Sequence, residues 1–308
     1  MQKRSFLGSL ILVITAMVWG SSFVFCKHGL ENLGPYTLGA SRMFLAAVTL
    51  AVIAFLMDVK QGKLKDPKAG LSEEEFRIKK KDTLWGGLFC GLALTFSMTT
   101  QSMGMVWTTA GKSGFITAMY MVWVPVLSIP FLKTKMVHRT VISVIMGAVG
   151  MYLLCIDEKF TMGKGEVLVL ICSFGYAAHI LCCDKYVKRG NPVKIACLQS
   201  FAVCIINLVL ALIFEEPDVN AIIATGTDII YSGVLSGGLG FLGQLIGQQL
   251  SSDATVATLL MSLESVFSVI FGAILLHERM LPKELIGCII IFAAVILIQI
   301  PQKKRSEK

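Results

Sequence analysis

Residues 109–132 read TAGKSGFITAMYMVWVPVLSIPFL, and residues 253–276 read DATVATLLMSLESVFSVIFGAILL. An offset of 144 lays the second stretch over the first without a gap, and the register continues to Leu154 and Ile298. Phe115–Ile116 meets Leu259–Leu260, and Leu132 meets Leu276. Lys135 falls on Arg279 and Arg139 on Lys283; beyond them Ser143 meets Gly287 and Gly150 meets Ala294. Identity is low. What repeats is an order: an apolar run, a short basic turn, then a second apolar run with small residues at similar positions. Each run is about 20 residues long, the length that crosses a hydrocarbon core.

Working outward, such runs fill the chain. Ten spans are expected, at 6–26, 36–57, 84–103, 110–132, 137–156, 165–184, 192–214, 228–250, 254–276 and 282–300. The expected fold class is all-α: a polytopic membrane protein of ten transmembrane helices. Composition agrees. Hydrophobic residues make up 55% of the 308 and charged residues 16%, against about a quarter charged in soluble domains. Mean hydropathy is +0.73. The run after Lys3–Arg4 continues past Trp19 to Cys26 with no small-residue cleavage site, so it reads as a retained first helix.

The net charge of +8 sits in loops and tails, which points to cytoplasmic loops and away from nucleic acid. With the N-terminus inside, the inner segments hold 21 of the 28 Lys and Arg, among them the eight from Lys60 to Lys81. The outer segments receive Lys27, Lys112, Lys159, Lys164, Arg279 and Lys283, and Arg42 lies within a span. Both termini are therefore expected in the cytoplasm, with the chain multi-pass in the plasma membrane. The connection at 57–83 contains Ser72–Glu75, a capping-box pattern that can start a short interfacial helix whose basic end meets anionic headgroups.

The early helices repeat more faintly. Trp19–Gly20 aligns with Phe174–Gly175, and after a two-residue shift Pro35 aligns with Pro192 and Phe44 with Phe201. Two units are expected, 1–156 and 157–308. Five helices is an odd number, so the two units must be inverted in the membrane. Nine cysteines fall mostly inside apolar runs with no C-x-x-C spacing. They read as packing residues; no disulfide, metal or cofactor is expected.

Trp19–Gly20–Ser21–Ser22–Phe23 leading to Lys27, Arg42 in the second span, and Leu263–Glu264–Ser265–Val266–Phe267 followed by Leu275–Leu276–His277–Glu278–Arg279 together resemble an EamA-type unit of the drug/metabolite transporter superfamily. The resemblance runs from end to end. It implies a secondary transporter of small metabolites, commonly an exporter of amino acids or drugs, working by alternating access. One departure is Ser265, where the family signature usually has proline. The first unit keeps Pro125, but has Tyr120 and Thr134 opposite Glu264 and Glu278.

Candidate binding residues follow from what an apolar span tolerates. Glu264 is an acid near the middle of the ninth span, where it needs a partner, water or a task. It can hold a substrate amine or a proton, or it can be a structural acid bonded to a neighbouring helix. Arg42 can hold a carboxylate bidentately, or reach to headgroups or a helix terminus. Lys27 and Lys112 are expected to snorkel. Tyr120 is the repeat mate of Glu264. Trp19 and Trp123 offer aromatic faces for a ligand or for packing. His179 can carry a proton or pack through a hydrogen bond. Gln101 and Gln244 bear amides that lipid would leave unpartnered. The Gly233/Gly237 and Gly243/Gly247 spacings read as close helix packing. Trp19, Arg42, Gln101, Tyr120, His179, Gln244 and Glu264 are thus the candidate cavity residues. The implied partners are a small-molecule substrate, the lipid bilayer and protons as a candidate coupling ion. A membrane-embedded enzyme or a channel is the alternative, but no H-E-x-x-H, G-x-S-x-G, charged ring or filter-like loop is present.

Overall fold

The computed structural model describes residues 2–63, 66, 68, 70–132, 138–155, 163–251, 254–277 and 281–299. Lys133, Lys135, Lys159, Glu278 and Arg279 lie outside the described residues. Among the described residues the chain is helical and contains no strand. The helices are α1 (Gln2–Gly29), α2 (Pro35–Lys60), α3 (Glu73–Met105), α4 (Ala110–Thr117), α5 (Tyr120–Leu132), α6 (His138–Cys155), α7 (Lys164–Val187), α8 (Pro192–Phe214), α9 (Val219–Ala224), α10 (Gly226–Ile230), a π-helix (Tyr231–Gly240), α11 (Phe241–Leu250), α12 (Ala254–Met261), α13 (Leu263–Leu275) and α14 (Pro282–Gln299).

Six described stretches are long and apolar enough to cross a membrane: Phe6–Gly29, Pro35–Lys60, Lys164–Val187, Pro192–Phe214, Gly226–Leu250 and Val256–Leu275. They match the first, second and sixth to ninth expected spans. The third expected span lies within α3, the fourth in α4 with α5, and the fifth and tenth in α6 and α14. The shorter apolar runs Val141–Gly150 and Leu285–Ala294 sit in those last two. The chain is a multi-pass membrane protein. A belt of exposed Leu, Ile, Val and Phe runs along α2, α3, α8 and α14, as a lipid solvent permits.

Local sequence sets the helix starts. Ser72 accepts from Glu75 N while the Glu75 carboxylate accepts from Ser72 N at 2.9 Å, so the expected capping box is formed. It opens a 33-residue helix that continues into the span. Thr109 caps α4, and Asn191 followed by Pro192 starts α8. Helix α2 has Pro35 at its first turn and no cap of its own. Its free amides are satisfied in trans by Glu215, at the end of α8. Glu215 accepts from Tyr36 N at 2.9 Å, Thr37 N at 2.8 Å and Thr37 Oγ1 at 2.6 Å. The carboxylate fills the space over Gly34, where a Cβ would come within 2.1 Å of it.

The fourth and ninth expected spans each carry a tightened turn within a continuous right-handed path. Helix α4 ends at Thr117 and α5 begins at Tyr120; α12 ends at Met261 and α13 begins at Leu263. The turns fall at Ala118 and Ser262, which coincide under the 144-residue offset. Both are tightened turns: Met121 N bonds Ala118 O at 3.0 Å, and Ser265 N bonds Ser262 O at 3.1 Å. The mates Tyr120 and Glu264 each follow a turn by two residues.

Packing is symmetric under exchange of the halves. Helix α3 lies on α7 and α8; the π-helix with α11 lies on α1, and the π-helix also lies on α2. The α4–α5 pair packs on α7, as α12–α13 packs on α1. The pairs α2–α8 and α6–α14 exchange into themselves. Mates run in opposite directions. Gly165, at the start of α7, touches Gly104 near the end of α3. Gly8, near the start of α1, touches Gly247 and Leu250 at the other end of the bundle, where Gln249 also bonds Val187 O. That second end carries Lys60, Lys79, Lys80, Lys81, Lys188 and Lys194, and is called the basic end below.

Candidate functional site

A cavity lies among α1, α2, α3, the α4–α5 and α12–α13 turns, α7, the π-helix and α11. All seven candidate residues line it: Trp19, Arg42, Gln101, Tyr120, His179, Gln244 and Glu264. Six of the seven are buried, at 7% exposure or less; Trp19 is partly buried. Their convergence depends on close helix approach. Gly20 sets α1 against α13 so tightly that a Cβ there would lie 2.4 Å from Phe267 Cβ and 2.8 Å from the Glu264 carbonyl.

Arg42 and Glu264 are the two formally charged side chains among the described lining residues. Among the described residues neither is in an ion pair. Arg42 does not reach to headgroups: Nη1 donates to Cys26 Sγ at 2.7 Å, and Nε has no partner. Glu264 Oε1 is likewise unpartnered, as is Tyr120 Oη. These two groups lie near enough to influence one another, but no well-formed bond joins them.

The remaining polar groups are partly engaged. His179 Nε2 meets Gln199 Oε1 at 3.1 Å and Cys183 Sγ at 3.3 Å, leaving Nδ1 free. Gln244 Oε1 has no partner. Gln101 is held at both ends of its amide: Nε2 donates to Thr117 Oγ1 at 2.9 Å, and Oε1 accepts from Tyr176 Oη at 3.1 Å. Trp19 Nε1 donates to the Ser236 carbonyl of the π-helix at 3.2 Å, and its ring packs on Phe241 at 5.3 Å. Five buried polar atoms without a hydrogen-bond partner, on Arg42, Tyr120, His179, Gln244 and Glu264, therefore belong to residues that line one cavity. Buried polar groups are nearly always satisfied, so a cluster of exceptions calls for a reason.

Other expectations resolve outside the cavity. Trp123 bonds Ser173 Oγ at 3.1 Å and stands edge-on to Phe174, a packing role. Lys27 does not snorkel. Its Nζ donates to the carbonyls of Met105 at 2.7 Å and Val106 at 3.3 Å, capping the C-terminal end of α3, where a cation is favoured. The seven cysteines whose side chains are described are free thiols, and Cys26 is a ligand of Arg42 as well as a packing residue. Among the described residues no His, Cys, Asp and Glu cluster could hold a metal ion. Sequence reading missed Tyr176, Thr117 and the serines of the π-helix. Tyr176 stands beside Gly175, the residue aligned with Gly20, and that was the available signal.

Comparison with known proteins accords with this architecture. A crystal structure of another protein superposes with a TM-score of 0.71 at 14% identity, covering 95% of this chain and 96% of that one; at that identity the likeness concerns the fold. An "uncharacterized transporter" of Archaeoglobus fulgidus is 27% identical over 94% of this chain and 84% of its own length. The "uncharacterized transporter YoaV" of Bacillus subtilis is 22% identical over 93% and 94%. A "probable terminal-alkyne amino-acid exporter" of Streptantibioticus cattleyicolor is 23% identical over 93% and 91%. The profile of the EamA-like transporter family matches residues 6–156 and again 163–300. The chain belongs to the EamA-like transporter family and is a membrane transporter.

Proposed function

We propose that this protein exports a small zwitterionic metabolite of the amino-acid class, with Arg42 receiving the carboxylate and Glu264 the ammonium group. The observation that carries this reading is the pair of opposite, unpaired charges facing one cavity. A buried charge without a partner is costly. A ligand bearing the complementary charges converts that penalty into affinity. The relative described as a "probable terminal-alkyne amino-acid exporter" supports the same class. Tyr120, His179 and Gln244 supply further donors and acceptors, and Trp19 an aromatic wall.

Transport would proceed by alternating access about the pseudo-twofold axis, with ten spans in two inverted units, 1–156 and 157–308. The coincident turns at Ala118 and Ser262, each two residues before a cavity residue, support the pseudo-twofold relation. The basic end would face the cytoplasm, with both termini there, in the plasma membrane. Protons are the proposed coupling ion, with Glu264 as their carrier.

The test is counterflow in liposomes against a panel of neutral amino acids, their decarboxylated amines and cationic drugs. Exchange of amino acids, with loss of exchange for analogues lacking either charge, supports the reading. Equal transport of the amines would remove Arg42 from its role. Exchange of none of the panel would sink the proposal.

A further inference from the structure

A second concavity lies at the basic end, remote from the cavity. It is an open groove that runs between the last turns of α2, the first turns of α3 and the start of α8. Its mouth is cationic. Lys194 Nζ lies 2.7 Å from Asp58 and neutralises it, which leaves Lys63, Lys79 and Lys80 on the rim. Among the described residues none of these three is in an ion pair. Its walls are apolar: Leu71, Phe76, Leu84 and Leu198. From Leu84 the groove opens onto an exposed apolar track along α3, through Leu88, Leu92 and Phe96.

Each half of this arrangement excludes a simpler ligand. A soluble anion has no use for the apolar walls or the track, and an uncharged acyl chain has no use for three lysines without an acidic partner among the described residues. A molecule with a phosphate at one end and hydrocarbon at the other uses both. Lys side chains can lay their stems on the apolar wall while their ammonium groups face the head. Basic grooves between helices at the headgroup level are suited to anionic lipids. We propose that the groove is a binding site for an anionic glycerophospholipid, with its phosphate among Lys63, Lys79 and Lys80 and an acyl chain passing over Leu84 onto α3. The groove spans α2 and α3 of the first half and α8 of the second, so the bound lipid would tie the halves together at this end. The proposal rests on the chain lying in a bilayer and is independent of what it transports.

The experiment uses the full chain, purified in a neutral detergent. Its thermal unfolding and native mass spectrum are followed as phosphatidylglycerol, phosphatidylcholine or inorganic phosphate is added. Phosphatidylglycerol is expected to raise Tm and to remain bound in the gas phase, and the other two to do neither. In Lys79→Gln/Lys80→Gln the phosphatidylglycerol concentration giving half the Tm shift should rise about tenfold or more. Arg77→Gln/Lys81→Gln removes the same charge from the same helix away from the groove, and should shift it less than about twofold. All four side chains are on the surface or half-buried, so both variants should fold. Phosphatidylcholine acting as well as phosphatidylglycerol would overturn the proposal. So would inorganic phosphate reproducing the shift, which indicates a free-anion site, or equal weakening in the two double variants, which indicates diffuse surface attraction.

Discussion

At the scale of single residues, Glu264 and Arg42 were legible because an apolar span does not carry a charge without a reason. What the sequence could not supply was their common cavity, which depends on α2 and α13 being brought together across more than 200 residues of chain. Removing either charge should be selective. A hydrogen bond to a charged group contributes about 1.5–3 kcal/mol, which is about ten- to a hundredfold in affinity. Under the proposed function, Glu264→Gln and Arg42→Gln should each raise the half-saturating amino-acid concentration in counterflow by that factor. A second variant tests whether the unpartnered polar atoms are there for a ligand. Tyr120 is 2% exposed and its hydroxyl has no partner. Tyr120→Phe removes a buried hydroxyl that makes no well-formed hydrogen bond in the free protein. The variant should melt no lower than the wild type in detergent while binding substrate about five- to tenfold more weakly, roughly the worth of one hydrogen bond. A lower Tm with unchanged affinity would make the hydroxyl structural. Tyr176 illustrates what stays hidden. A tyrosine in an apolar run is ordinary, and only the fold shows that its hydroxyl fixes Gln101.

At the scale of elements, apolar runs and caps were readable, whereas the tightened turns were not. The ninth expected span, 254–276, contains neither proline nor glycine near Ser262, so no residue there announces the turn. At that turn Ser262 Oγ donates to the Leu259 carbonyl at 2.8 Å and Ser265 Oγ to the Ser262 carbonyl at 2.7 Å, and the coincidence of Ala118 with Ser262 marks the turn as built in. The same holds for the cap of α2. Pro35 signals a helix start, yet the capping group arrives from Glu215, some 180 residues later. Because this carboxylate satisfies two backbone amides and a hydroxyl, its loss should exceed the median effect of a single cap. Glu215→Ala is expected to destabilise the protein by about 1–2 kcal/mol. Glu215→Gln, which keeps an acceptor but loses the charge at the helix N-terminus, should lie between it and the wild type. Tm in detergent, read by tryptophan fluorescence, checks the order wild type, Gln, Ala; identical values for all three would refute the cap.

At the scale of the whole molecule, the apolar runs foretold an all-helical membrane fold, and the helices and their packing bear it out. The closures at the two ends were not visible, because they join residues far apart in the chain. At the end opposite the basic one, His28 Nδ1 lies 2.9 Å from Asp228 Oδ2 and ties α1 to α10. Thr108 bonds Glu166 at 2.8 Å and joins the start of α7 to the turn between α3 and α4. In the alternating-access cycle proposed above, these contacts would be released when that end opens. The His28 side chain is 56% exposed and Asp228 9%, so the pair is worth only a modest amount, about 0.5–1 kcal/mol. A difference of that size still changes the ratio of two conformers by about two- to fivefold. Asp228→Ala should therefore shift the population toward the form open at this end. Cys26 lines the cavity and is 5% exposed, which makes it a native reporter. Its labelling by a membrane-impermeant maleimide applied from this side, resolved by peptide mass spectrometry, should rise about two- to fivefold in Asp228→Ala. Labelling of Cys90, which is fully buried outside the cavity lining, should not change. If both thiols became more reactive together, the substitution would have loosened the fold, and the His28–Asp228 pair would be a structural tie with no part in gating.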